Sequence, residues 1–276
     1  MQILRPELLE IEKDPFAQQI NDSLMISKNS QRETYSSVCN VATPAPTKTH
    51  MPIPNSALIN LTADHIAKKG WVILATTYAS SFEQGNAHFV FELENELFPG
   101  VRMQIAGHNS HIKMRSAILY MQTRTNACTN MDVPAQVPLK RKHTPRIMDE
   151  LPFLIENALT ELDERSKEHT SRLLSYQRTP VTNTTAHDLM IKSLRENIVP
   201  ASYLPIVANE WHDPTITQFE NRDLYSLYNC FTESFKKSPA ETPDRTQALI
   251  KTFDDHVDTV INWEESNAIH QEELPF

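Results

Sequence analysis

A chain of 276 residues with only 4 glycines, Gly70, Gly85, Gly100 and Gly107, cannot build the loops that cradle nucleotide phosphates, which need several glycines at short fixed spacing. Its three cysteines, Cys39, Cys128 and Cys230, are too scattered and odd in number for a zinc cluster or a disulfide framework, and no apolar run reaches the roughly 18 residues of a membrane span. The net charge of −9 argues against a polyanion partner as an average, but the charge is unevenly spread.

In chain order, residues 1–50 read as mostly disordered, because "SKNSQRETYSSVCNVATPAPTKTH" is rich in Ser, Thr and Pro and lacks periodicity. Within them Ile3, Leu8, Leu9 and Ile11 suit a short docking helix. The first residues carry acids early and lack the apolar stretch of a signal peptide, which suggests a reduced, cytoplasmic protein in a bacterial host cell. "MPIPNSALINLTADHIAKKGW" predicts a loop and then a helix capped by Thr62, running over Ala63–Lys69 and stopped by Gly70.

Three strands follow in "WVILATTYA", "AHFVFEL" and "VRMQIAGH", which are rich in β-branched and aromatic residues and separated by turn residues. "SAILYMQTRTNAC" suits a fourth strand or a helix, because a short apolar run does not distinguish them. "VPAQVPLKRKHTPR" reads as an extended basic loop. The second half is helical. Ile147, Leu151, Leu154, Ile155, Ala158, Leu159 and Leu162 recur at helical intervals, with Pro152 marking a break or a fresh start. Further helices are predicted in "TAHDLMIKSLREN", capped by Thr184 or Thr185, in "NRDLYSLYNCFTESFKK" and in "TPDRTQALIKTFDDHVDTVINWEE".

The expected fold is α+β. An antiparallel sheet with one or two helices occupies a β-rich part, 51–146, and a mainly helical part spans 147–263, the two forming a single domain. Residues 264–276 are expected to be a flexible acidic tail.

Residues 101–146 carry eight cations, Arg102, Lys113, Arg115, Arg124, Lys140, Arg141, Lys142 and Arg146, against one acid, Asp132, a net of +7. Residues 253–276 carry seven acids and no Lys or Arg, a net of −7. Such a split fits a polyanion-binding region beside an acidic tail that competes for it. Single strands are held by cations that follow phosphates and by aromatics that stack on bases. The candidates are those eight cations, His143, and the aromatics Phe89, Phe91 and Tyr120, with Tyr78 and Phe82 also in the β-rich part.

Catalytic chemistry finds no constellation. His108 and His111 lack further ligands nearby, and Ser110 beside His111 is poorly placed for nucleophilic attack. Cys128 fits a structural thiol better than a nucleophile activated by Arg124. No enzyme activity, metal or cofactor is expected.

Asn109-Ser110-His111, then Arg124, Cys128 and Asn130, then Tyr225, Asn229 and Thr232 resemble in order and spacing the motifs of an uncharacterised family borne by prophages and plasmids. Ile112 and Lys113 stand where that family has Asp-Gly, and Met131 where it has Gly. The final Glu272-Glu273-Leu274-Pro275-Phe276 resembles the tip of bacterial single-stranded-DNA-binding proteins. That resemblance implies docking of Phe276 into an apolar, basic-rimmed pocket on a host or phage replication, recombination, repair or transcription protein. Together these features suggest a phage- or plasmid-type protein that coats single-stranded DNA and recruits partners, with no membrane association. Two alternatives stand beside it: an interaction protein that mimics the host tip without binding DNA, and a strand-annealing recombinase.

Overall fold

Alternation of apolar and polar residues in the β-rich part, and helical periodicity after residue 147, give an α+β protein. The computed structural model describes residues 5–12, 30–98, 101–113, 115–125, 128–132, 139–215, 219–235 and 242–272. The chain forms two compact units, residues 1–167 and 168–276, where the sequence suggests one domain. The boundary falls inside a continuous helix, so no linker composition marks it.

In the first unit, α1 (Pro6–Glu12) buries Leu8, and Ile3 lies outside the described residues. β1 (Ser30–Glu33) and α2 (Tyr35–Asn40) follow, so ordered elements occupy part of a region expected to be mostly disordered. Thr34 caps α2 by accepting a hydrogen bond from the Ser37 backbone N–H at 3.0 Å. The fully buried Tyr35 then accepts from the Arg5 N–H at 2.9 Å and donates to Asn60 at 2.7 Å. These contacts tie a polar, low-complexity stretch to the core.

α3 spans Asn55–Lys68. It begins earlier than the Thr62 cap suggests, because Thr62 donates back to the Leu58 carbonyl at 2.7 Å from inside the helix. Gly70 stops it at φ +77°.

β2 (Ile73–Ser81), β3 (Asn86–Phe98), β4 (Val101–Ser110) and β5 (Ala117–Thr125) pair antiparallel in sequence order. β1 lies along β2, while β6 (Cys128–Asp132) and β7 (Leu139–Arg141) both pair with β5. "SAILYMQTRTNAC" is therefore a strand, and part of the basic loop pairs as β7.

Register explains the core. Tyr78, Phe89, Gly107, Leu119 and Leu139 stand in one row across five strands. Phe91, Ile105 and Met121 stand in the next row on the same face. They form a core with Leu58, Ile59 and Ile66 of α3 and with the apolar stripe of α4 (Ile147–Arg178). Gly107 is required in its row, because an added Cβ would overlap the Phe89 ring and approach Leu119 Cδ2 at 2.9 Å. Pro152 lies inside α4 without ending it.

The second unit holds the end of α4, α5 (Asn183–Arg195), a 3-10 turn at Ala201–Tyr203, α6 (Leu204–His212), α7 (Leu224–Phe235) and α8 (Thr242–Glu272). Thr182, rather than Thr184 or Thr185, caps α5, accepting from the Thr185 N–H at 3.1 Å. Tyr176, Tyr228, Phe231 and Phe253 pack edge-on or tilted around Phe253 with centroids 5.8–6.1 Å apart. Asp254 accepts from Tyr176 at 2.7 Å and pairs with Arg172 at 3.0 Å. α8 continues through Glu272 where a flexible tail is expected from residue 264. Glu273, Leu274, Pro275 and Phe276 lie outside the described residues.

Candidate functional site

An antiparallel sheet gathers alternate turns at each end, and here that topology concentrates charge. The β2–β3 turn (82–85), the β4–β5 connection and the end of β7 all fall at one end. Lys113 and Arg115 lie in the β4–β5 connection, and Lys140, Arg141 and Lys142 lie on or just after β7. The Thr47–His50 bridge, carrying Lys48, joins them. The Met51 N–H donates to the His143 carbonyl at 3.1 Å, and the His50 and His143 rings stack with centroids 5.1 Å apart.

Lys48, Lys113, Arg115, Lys140, Arg141 and Lys142 are all exposed, as is Arg146 just before α4. Arg141 meets Glu150 at 3.3 Å with both side chains partly in water, a pair of small net worth. No ion pair among the described residues engages the other six cations.

Two exposed apolar side chains share this end, Phe82 at 45 % and Ile112 at 43 %. Phe82, Glu83 and Gln84 are consecutive residues in the left-handed region, with φ of 53°, 53° and 65°, and Lys113 has φ 61°. Each costs roughly 1–2 kcal/mol for an L-residue. The turn is held by the Gly85 N–H donating to the Phe82 carbonyl at 2.9 Å and by the His111 N–H donating to the Gly85 carbonyl at 2.8 Å. A Cβ on Gly85 would stand 2.6 Å from Ile112 Cγ2. The two turns therefore interlock, with Phe82 and Ile112 outward beside the cations.

Beneath this rim lie His50, His88, His108, His111 and His143, drawn from four separate segments. His88 and His108 meet edge-on at 4.6 Å. Burial, then His108, then Arg115 hold His88 down at about 3. Burial, then Arg115, hold His108 at about 4 against the opposing effect of a Ser116 backbone group. Burial also sets His143 at about 4, helped by His50, His111 and His108. His50 is lowered by burial and then Lys113, and His111 by burial against a partly opposing Ile53 carbonyl. The rings are neutral at pH 7, so the positive charge of this end comes from Lys and Arg. No group of three His, Cys, Asp or Glu among the described residues forms a metal site here.

Several predicted site residues are placed elsewhere. Phe89 and Phe91 are 2 % and 0 % exposed and point into the helix-covered face, so they form a core stripe rather than a stacking platform. His143 is buried under His50 and is not a phosphate ligand. Arg102 sits about 27 Å along β4 from Ser110 at 3.4 Å per residue, paired with Glu92 at 3.3 Å and Glu96 at 3.6 Å. Arg124 is opposite Arg102 in the ladder, again at the far end, and its side chain lies outside the described residues. Tyr120 is half-buried on the opposite sheet face, in a row with Thr77, Val90 and Ala106, and burial pushes its phenol up to about 12. Sequence reasoning missed Lys48, hidden in a Thr/Pro-rich stretch, and Ile112.

Of the motif residues, Asn109, His111, Asn229 and Thr232 make structural contacts, while the side chains of Arg124, Cys128 and Asn130 lie outside the described residues. Asn109 donates to the Ile53 carbonyl and to Asn55 Oδ1, each at 2.7 Å, and His111 Nε2 donates to the same Ile53 carbonyl at 2.9 Å. Together they clamp the chain leading into α3 against the end of β4. Asn229 donates to the Tyr225 carbonyl at 2.8 Å and Thr232 to the Asn229 carbonyl at 3.0 Å, all buried within α7. No protein-family model, curated protein or solved structure matches the chain.

Proposed function

We propose that this protein binds single-stranded DNA across the cationic end of its sheet. The observation that carries the reading is the convergence of Lys48, Lys113, Arg115, Lys140, Arg141 and Lys142, from three separate segments, around exposed Phe82 and Ile112. Cations that follow phosphates beside an exposed ring suit a strand with unpaired bases. In the same reading Glu272, Glu273, Leu274, Pro275 and Phe276 form an acidic-to-apolar hook for a replication, repair or transcription protein. The phage or plasmid setting and the cytoplasm belong to this proposal. Among the described residues no helix is long and apolar enough to cross a membrane.

The test is fluorescence anisotropy of labelled oligo-dT at several salt concentrations. Binding falls with salt at a log–log slope of about −0.7 per phosphate neutralised, so about −4 for six contacts. Reversing Lys140, Arg141 and Lys142 to Glu makes that slope shallower by about 2. Removing residues 273–276 leaves oligo-dT affinity equal or tighter and abolishes partner capture. An absence of any anisotropy change at micromolar protein and low salt refutes DNA binding and leaves the partner-mimic alternative. Ring or filament assemblies in light scattering would turn the reading towards strand annealing.

A further inference from the structure

The second unit holds a pair of side chains that DNA binding does not use. His187 lies on α5 and His212 ends α6, 25 positions later, and both are exposed. Their Nε2 atoms stand 3.1 Å apart, with ring centroids at 5.3 Å and planes inclined by 58°. Asn183, one helical turn before His187, accepts from Trp211 Nε1 at 3.0 Å, so the contact that fixes α6 against α5 adjoins the histidine pair. On the other side the Arg222 guanidinium stacks on the Trp211 ring at 4.8 Å and donates to the Trp211 and His212 carbonyls. The backbone that carries His212 is thus held from two directions, which keeps the two histidines within reach of each other.

With metal–nitrogen bonds of about 2.0–2.1 Å, two imidazole donors stand about 3.3 Å apart at a tetrahedral angle and about 2.9 Å apart at a right angle. The observed separation lies between these values. The rings face each other nearly head-on, as their hydrogen bond requires, so each exposed ring turns aside to aim its lone pair at a shared ion. We propose that His187 and His212 chelate a borderline divalent transition metal, of which zinc, nickel and copper are the best suited to imidazole. No third His, Cys, Asp or Glu among the described residues joins them, so water or a donor from another molecule completes the coordination. In the metal-free protein one ring donates its Nε2–H to the other. Metal binding moves that proton to Nδ1 and frees both lone pairs. Calcium and magnesium, which prefer oxygen donors, are excluded.

Calorimetric titration of the metal-free full chain with Zn2+ at pH 7.5 tests the site. Wild type binds one equivalent that the H187Q/H212Q double variant lacks, and each single variant weakens that binding at least tenfold. Binding weakens as pH falls, because protons compete for the same nitrogens. Substoichiometric Cu2+ provides a second measurement on wild type alone, broadening the imidazole NMR signals of His187 and His212 before those of other histidines. Equal Zn2+ heats in wild type and the folded double variant, or Cu2+ broadening spread over all histidines, would overturn the assignment.

Discussion

Phe82 and Phe89 stand seven residues apart in one hairpin, and their surroundings separate a surface role from a core role. Phe82 is held outward by a strained turn, with 45 % of its surface in water, whereas Phe89 is 2 % exposed. An exposed ring that stacks on bases contributes about 1–3 kcal/mol per base. Phe82→Ala should therefore weaken oligo-dT binding about 5- to 150-fold, leave the salt slope unchanged and shift the urea midpoint little. An unchanged affinity in a protein that does bind DNA would remove Phe82 from the interface without touching the cationic reading. Sequence alternation shows that Phe89 and Phe91 share a face, but not which face the helices cover. That follows from the register that sets Phe89 against Gly107 and Tyr78.

At the scale of elements, the sheet depends on that same row. Phe89 fills the space left by Gly107 and meets Phe91 at 5.1 Å. Phe89→Ala should cost about 3–5 kcal/mol in urea unfolding, and any loss of DNA binding should follow the loss of folded protein. A cost near zero would mean that the row collapses around the gap. Most elements were legible because their periodicity is strong: the strands around the glycines and the apolar stripe of α4 stand where the residues place them. The misplacements have local causes. Thr62 lies mid-helix because helical runs start ahead of it, and Thr184 and Thr185 yield to Thr182, whose extended backbone frees its hydroxyl to cap. Pro152 stays inside α4, whose apolar stripe remains buried on both sides of it.

For the whole molecule, the histidines packed at one end of the sheet contribute to the response to acid. His88, His108 and His143 titrate natively near 3, 4 and 4, below the ordinary value of about 6.5. Between about pH 6.5 and pH 4 the unfolded chain therefore takes up protons that the native state refuses, so stability falls as pH falls through that window. Urea midpoints measured at pH 7, 5.5 and 4.5 should decline in that order, and a flat series would contradict the burial of these rings. This convergence was not legible in the sequence. His50, His88, His108, His111 and His143 have no common spacing, and only the antiparallel order brings their segments to one end. The cations were legible as a charge excess, but their sorting was not. Arg102 and Arg124 go to the opposite end from Lys113 and Lys140 because each strand carries its residues the length of the sheet.

β6 and β7 divide the outer flank of β5 between them, one pairing Thr123–Thr125 and the other Ala117–Leu119. Neither strand is long, yet together they leave only a three-residue window, Tyr120–Gln122, without a described neighbour on that side. A continuous bare flank is a template onto which another chain can zip. Two short covers break that template, much as paired bolts hold a door better than one. Selective loosening of Leu139–Arg141 would therefore endanger more than local order, since it would open the β5 flank to pairing with other copies and to aggregation.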